Sequence, residues 1–185
     1  MLDHFDLIAS VYDRLIGPPD TGRLQQLLQL PTTGWLLDGG GGTGRVSGHL
    51  NALVGSIVIS DLSDRMLKKA LEKRLNTVCA HVERLPFSDA CFDRILVVDA
   101  LHHFCDQQEA IKDLLRVLKA GGRLVIEEPD FNHKGVKVLA LVEKILLMRS
   151  HFYTPQDIRA MIESNGYAAA IENDGSYRSW IIVDK

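Results

Sequence analysis

Along this chain the apolar positions alternate between a period near 3.6 and short, almost unbroken runs. Phe5, Ile8, Ala9 and Tyr12 share one helical face, which predicts a helix over 3–16 ended by Gly17-Pro18-Pro19. A second helix is expected over 23–30, and from there the elements alternate. A strand at 35–38 runs into glycines, a helix follows over 44–53, and a strand at 56–60 ends at Asp61. Ser63 caps the next helix, whose stripe is Met66, Leu67, Ala70 and Leu71. Strands are expected at 77–81 and 94–98, the latter nearly all apolar, as a strand covered on both faces must be. A helix over 107–119 turns Ala110, Ile111, Leu114, Leu115 and Leu118 inward, and Gly121-Gly122 is expected to close it before a strand at 123–127. Further helices are expected over 134–149 and from Thr154-Pro155-Gln156-Asp157 to Ser164, the latter stopped by Gly166. Segments 168–172 and 180–183, separated by Asn173-Asp174-Gly175-Ser176, read as a closing antiparallel pair.

Strands alternating with helices imply a parallel sheet covered on both faces. Ligands of such sheets sit beyond the carboxyl ends of the strands, at the switch point, so the loops that follow strands are the ones to read for chemistry. A length of 185 residues, 46% apolar and 24% charged, fits one globular domain with a substantial core. The net charge of −3 gives no electrostatic reason to expect nucleic acid. The densest basic run, Lys68, Lys69, Lys73 and Arg74, shares its helix with Asp64 and Glu72 and reads as a solvated face. Asp3 and Asp6 stand where a signal peptide would be basic, and the greasy stretch at 136–148 is short and broken by Lys137, Glu143 and Lys144. Cys79, Cys91 and Cys105 are odd in number and form no CxxC pair. A soluble cytoplasmic protein with reduced thiols, no membrane insertion and no bound metal is the expectation.

The most informative stretch is Asp38-Gly39-Gly40-Gly41-Gly42-Thr43-Gly44, which follows a strand and opens a helix. Gly39, Gly41 and Gly44 fit the dinucleotide pattern GxGxxG, whereas Gly40, Gly42 and Gly44 fit GxGxG. Gly39 and Gly44 also match a P-loop spacing, but Arg45-Val46 replaces its Lys-Ser/Thr, which leaves no lysine for phosphates and no hydroxyl for magnesium. A carboxylate at Asp38 would repel a pyrophosphate and suits a ligand carrying an ammonium and a sulfonium. Asp61, at the end of the second strand, can take both hydroxyls of a ribose or merely cap the following helix.

Several ordered motifs resemble the class I S-adenosylmethionine-dependent methyltransferases, in particular the small-molecule branch that includes the quinone-biosynthesis (type 11) enzymes. They are Leu36-Leu37-Asp38-Gly39-Gly40-Gly41-Gly42-Thr43-Gly44-Arg45, Asp61-Leu62-Ser63-Asp64-Arg65-Met66-Leu67, Glu83-Arg84-Leu85-Pro86-Phe87 with Phe92-Asp93, Leu101-His102-His103-Phe104, Leu118-Lys119-Ala120-Gly121-Gly122-Arg123-Leu124, and Phe152-Tyr153-Thr154-Pro155. The resemblance implies an α/β, Rossmann-like, doubly wound sheet of seven strands, five parallel plus a C-terminal antiparallel pair, with helices on both faces. It implies one domain over 1–185, with 1–30 as a helical lid and 131–152 as an inserted helix. The cofactor would be S-adenosylmethionine, its methionine part flanked by Gly40, Gly42 and their neighbours Asp38, Gly39 and Gly44. Asp61 would hold the ribose, Leu62 and Val82 would sandwich the adenine, the Val98-Asp99 backbone would meet the amine, and Tyr12 would act as a lid or simply pack. The chain departs from the family at His81, where an aspartate usually accepts from the adenine amino group; a neutral imidazole can also accept through one nitrogen.

Methyl transfer from a sulfonium is an in-line displacement in which the protein aligns the acceptor and excludes water. A base is needed only if the acceptor must lose a proton; His102 and His103 follow the fourth strand and are the candidates. As neighbours they are expected to point apart, so that at most one faces the site. Glu128, Asp130 and His133 are weaker candidates. Val136, Leu139, Val142, Ile145 and Leu146 give the inserted helix an apolar face that could roof an acceptor, pack on the core or join a homodimer. Asp99-Ala100-Leu101-His102 lacks the Pro-Pro-aromatic motif of nucleic-acid amino methyltransferases, which favours a small-molecule acceptor. A non-catalytic module binding S-adenosylmethionine or S-adenosylhomocysteine is the alternative, and a nicotinamide-dependent oxidoreductase a weaker one.

Overall fold

The computed structural model describes residues 18–145 and 150–185, with backbone only at 139 and 142–145. The helix expected over 3–16, Tyr12 with it, lies outside the described residues. Seven strands form one sheet: β1 (Trp35–Gly39), β2 (Ser56–Asp61), β3 (Asn76–Cys79), β4 (Phe92–Val98), β5 (Leu118–Pro129), β6 (Ala170–Asn173) and β7 (Arg178–Asp184). Their order is β3-β2-β1-β4-β5-β7-β6. The first five run parallel, and β7 lies antiparallel to both β5 and β6. The chain winds outward from β1 to β3 and then crosses back to β4, so the switch point falls between β1 and β4.

Two apolar layers follow from the two-residue period of a strand. Leu36, Ile57, Ile59, Leu96, Val125 and Trp180 face one layer, where Leu24 and Leu27 of α1 (Thr21–Leu27), Leu50 of α2 (Ser47–Leu50) and Leu67 and Ala70 of α3 (Asp64–Glu72) close over them. Leu37, Val58, Ile95, Val97, Leu124 and Ile126 face the other, covered by α4 (Gln107–Val117) and by Ile158 and Ile162 of α6 (Pro155–Glu163). The helix starts rest on the side chains read from the sequence. Ser63 accepts from the Met66 N–H, and Thr154 and Asp157 form a reciprocal capping box. The helix expected over 134–149 is α5 (Lys134–Ile145) within the described residues; Val136 is buried, Val138 and Leu141 are exposed, and the rest of its expected apolar face lies outside the described side chains.

Two expectations fail for the same reason, which is backbone conformation at glycine. Gly121-Gly122 does not cap a helix: α4 ends at Val117, and β5 begins at once with Leu118 opposite Phe92. Arg123 is the next residue paired after Leu118, opposite Arg94, so the glycine pair forms a bulge, with Gly121 at φ +76° donating to the Lys185 carbonyl. The helix expected over 44–53 is a single turn at Ser47–Leu50 followed by a 3-10 turn, because Gly40, Gly42 and Gly44 all have positive φ and hold residues 40–46 as a wrapped loop.

Candidate functional site

The candidate cofactor and base residues, Tyr12 apart, lie at or just beyond the carboxyl ends of β1 to β5. The glycine loop leaves β1 with the Gly40 N–H bonded to the Ser60 carbonyl at 2.7 Å, so it starts against β2. It then wraps over Asp38: a Cβ on Gly41 would lie 2.5 Å from the Asp38 carboxyl carbon. A Cβ on Gly40 would lie 2.7 Å from that of Ala100, so this residue is confined to glycine by packing as well as by φ. Asp38 is buried and accepts from the Ser47 hydroxyl at 2.5 Å. Burial pushes its carboxyl up to about 6, Ser47 and Arg45 opposing and Asp61 assisting.

Asp61 closes the loop from the β2 side. One carboxyl oxygen accepts from the Gly42 N–H at 2.9 Å and the other from the Ser63 N–H at 2.8 Å. It therefore both fixes the loop and starts the turn into α3. Leu62 follows with 47% of its surface exposed, an apolar platform at a strand end. Val82 does not mirror it. It is buried in the core, so of the expected adenine sandwich only the Leu62 half is open. His81 is exposed, its Nδ1 3.6 Å from a Glu83 oxygen.

At the end of β4, Asp99 takes a left-handed conformation, φ +51°, which a non-glycine residue adopts only when its surroundings hold it there. Its N–H donates to the Glu127 carbonyl, and its carboxyl lies 3.8 Å from the Arg45 guanidinium. Burial, with Glu128 close by, raises its carboxyl above the usual range. Beyond it Leu101–His103 form a 3-10 turn. In that turn the two histidines do not point apart: their ring centroids are 4.0 Å from each other, because a tight turn brings successive side chains together where an extended strand would separate them.

Their environments differ all the same. His102 is buried, with Nδ1 2.5 Å from a Glu128 oxygen and its ring stacked on Phe152 at 4.3 Å. The other Glu128 oxygen accepts from the Ala100 and Leu101 N–H groups at 2.9 and 2.8 Å. His103 reaches the Ser150 hydroxyl at 3.1 Å; burial, with His102 alongside, depresses its imidazole to about 2. A ring so reluctant to take a proton is a poor base. The pairing places Glu128, at the end of β5, among the functional groups, and Glu127 beside it accepts from the Trp180 indole at 2.7 Å with Arg178 3.5 Å away. Glu127 and Arg178 have no signal in the sequence, since their role depends on β7 pairing with β5.

The site thus gathers three buried carboxyls and Asp99 about a glycine loop, with Arg45 and Arg178 beside them. Residues 37–126, from β1 to β5, match the methyltransferase domain family of type 11. The chain is 39% identical over 128 residues to the malonyl-[acyl-carrier protein] O-methyltransferase of Herminiimonas arsenicoxydans, a match covering 65% of this chain and 48% of the relative. It is 38% identical over 104 residues to the ubiquinone/menaquinone biosynthesis C-methyltransferase of Cronobacter sakazakii, covering 50% of this chain and 41% of the relative. The chain spans about half the length of the curated relatives it matches. Its fold is that of a methyltransferase structure from Thermotoga maritima, with a TM-score of 0.80 at 19% identity over 98% of this chain and 97% of that one. Family match and relatives agree that residues 37–126 carry a methyltransferase domain of the type 11 kind, and the fold around it is that of class I methyltransferases.

Proposed function

We propose that this protein transfers the methyl group of S-adenosylmethionine to a small-molecule acceptor. The observation that carries this reading is the glycine loop wrapped around the buried Asp38 carboxyl, an anion where a pyrophosphate would be repelled. Such a loop suits a ligand that is cationic at its reacting end. The residues fit the cofactor in order along the strand ends. Asp38 and the Gly39–Gly44 backbone flank the methionine part, and the Asp99 backbone meets the amine. Asp61 takes the ribose hydroxyls, Leu62 lies under the adenine, and His81 offers a nitrogen to its amino group. When bound, the cofactor supplies an electrophilic methyl and a neutral leaving group. His102 acts on the acceptor: its Nδ1–H is held by Glu128, so Nε2 is the nitrogen that takes a proton. The Glu128 carboxylate then stabilises the charge that the ring acquires. The relatives named above, enzymes on malonyl-acyl-carrier protein and on quinone precursors by their names, support an acceptor of metabolite size or carried by acyl carrier protein.

The test is a thermal-shift comparison followed by turnover. S-adenosylmethionine and S-adenosylhomocysteine should raise the melting temperature, and NAD and ATP should not. A metabolite panel that includes quinols and acyl-carrier thioesters should then yield S-adenosylhomocysteine with one of its members. A larger shift with NAD would overturn the cofactor assignment, and binding without turnover on any acceptor would leave a cofactor-binding module. In the same assay Asp61→Ala should weaken cofactor binding by roughly 1.5–3 kcal/mol, because a charged acceptor is lost. It should also lower the melting temperature of the free protein, since the Gly42 and Ser63 N–H groups lose their acceptor.

Asp38 gives a pH dependence with a definite sign. Its folded value, about 6, lies above the ordinary 3.8, so the folded protein holds this proton more tightly than the unfolded chain. Stability from this group is full below about pH 4 and is lost as pH rises toward 6. A cationic ligand favours the ionised carboxyl, so cofactor affinity should fall as pH drops below about 6, and binding near pH 6 should expel a proton. Calorimetry in two buffers of different ionisation enthalpy counts that proton. Asp38→Asn should abolish its release; equal release from wild type and variant would show that another group titrates.

A further inference from the structure

Around His81, one cluster brings three different metal-ligating atoms together. The donor atoms of His81, Glu83 and Cys105 all lie within 4.8 Å of one another. Glu83 is the fixed member. It sits in the 3-10 turn Val82–Arg84 after β3, and one of its oxygens accepts from the Cys105 and Asp106 N–H groups at 2.7 and 3.2 Å. Those bonds leave the second oxygen toward His81, 3.6 Å from Nδ1, and anchor the backbone that bears the Cys105 thiol. The carboxyl is therefore held in place by main chain on one side, while His81 and Cys105 are exposed and adjustable.

We infer that His81, Glu83 and Cys105 form a binding site for a thiophilic divalent cation of the zinc class. Imidazole nitrogen, carboxylate oxygen and thiolate sulfur are the three donor types zinc takes from proteins. Bonds of about 2.0–2.3 Å in a tetrahedron place ligand atoms roughly 3.3–3.8 Å apart. The cluster must tighten by about 1.5 Å at most from its 4.8 Å limit, which rotation of two exposed side chains supplies. Binding displaces the thiol proton of Cys105 to solvent and leaves one coordination position for water. The donor set is too soft for magnesium or calcium, whose ligands are oxygens.

The site has a consequence for the cofactor that rests on the proposed place of His81 beside the adenine. A neutral imidazole ligating through Nδ1 carries its proton on Nε2 and becomes a donor there. A donor facing the adenine amino group loses the hydrogen bond, so the cation and S-adenosylmethionine should oppose each other.

The experiment uses the full, untagged chain stripped with a chelator. Cobalt(II) should give a near-ultraviolet thiolate charge-transfer band at one equivalent, and zinc should displace it. Cys105→Ser should remove the band, and Cys79→Ser, a change at another exposed thiol, should leave it. Loss of a supporting partner alone costs roughly 10–100-fold in metal affinity, so His81→Ala should weaken zinc binding by at least that much. Melting in chelator verifies that these variants fold. A band that persists in Cys105→Ser, or zinc binding that is equal in wild type, His81→Ala and Cys105→Ser, overturns the site. In a second arm, S-adenosylmethionine is titrated with and without saturating zinc. Weakened affinity in wild type but not in Cys105→Ser supports the coupling. Unchanged affinity with zinc bound removes His81 from the adenine and leaves the cation site standing.

Discussion

Glu128→Ala is expected to destabilise the protein by about 3–5 kcal/mol, the cost of breaking a buried pair by removing one partner. The reason is the number of groups that depend on one side chain. Glu128 is 3% exposed; one oxygen holds the Ala100 and Leu101 N–H groups, and the other holds the His102 ring. Truncation leaves two main-chain donors without their acceptor in a turn the chain cannot open, each costing about 1–3 kcal/mol, and removes the partner of a buried imidazole. For a chain of this size the loss corresponds to roughly 6–20 °C in melting temperature. Asp184→Ala, which breaks the ion pair with Arg123 at a carboxylate that is 68% exposed, should change stability by about 1 kcal/mol or less. Denaturant melts of the two variants side by side check the contrast. A loss at Glu128 no larger than at Asp184 would mean that the turn after β4 is held by packing alone.

The same residue shows where the sequence was legible and where it was not. Strand identity came through because buried parallel strands are runs of Val, Ile and Leu, and 94–98 could hardly be anything else. Caps came through because Ser63, Thr154 and Asp157 act on backbone within three residues of themselves. The positions of Asp38, Asp61, Asp99 and His102 came through because each stands where a strand ends, and strand ends gather at one edge of a parallel sheet. What failed was conformation chosen by glycine. Gly121 can end a helix or make a bulge with the same positive φ, and the chain here makes the bulge because Lys185 and Gly122 pair across it. What stayed hidden was pairing at long separation. Glu128 and His102 meet only because β4 and β5 are neighbours in register, with Val98 opposite Glu127, and no local pattern states that register. His103 carried the same positional signal as His102. Their partners tell them apart: burial with His102 alongside depresses the His103 ring to about 2, whereas the buried His102 ring is held by a carboxylate.

His102→Asn should lower turnover by roughly 100-fold or more while cofactor affinity stays within a factor of about two, provided the acceptor must lose a proton. Asparagine is chosen over alanine because its amide can still donate toward Glu128, so the buried carboxylate keeps a partner and the fold is spared. It cannot take up a proton, which isolates the chemical role from the structural one. His103→Asn should lose little, since that ring is already neutral and its contact is with the Ser150 hydroxyl. Glu128→Gln sharpens the test. The amide oxygen can still serve the Ala100 and Leu101 N–H groups, which turns the amide nitrogen toward His102 Nδ1. That nitrogen donates, so Nδ1 must become the acceptor and the ring proton moves to Nε2, where it blocks proton uptake from the acceptor. A tautomer trapped in this way should reduce turnover about as far as His102→Asn does, with melting and cofactor binding near wild type. In the double variant the two losses should not add, because both remove the same function. Near-normal turnover in His102→Asn and Glu128→Gln on the true acceptor would show that the pair only braces the turn, and that alignment of the acceptor suffices for methyl transfer.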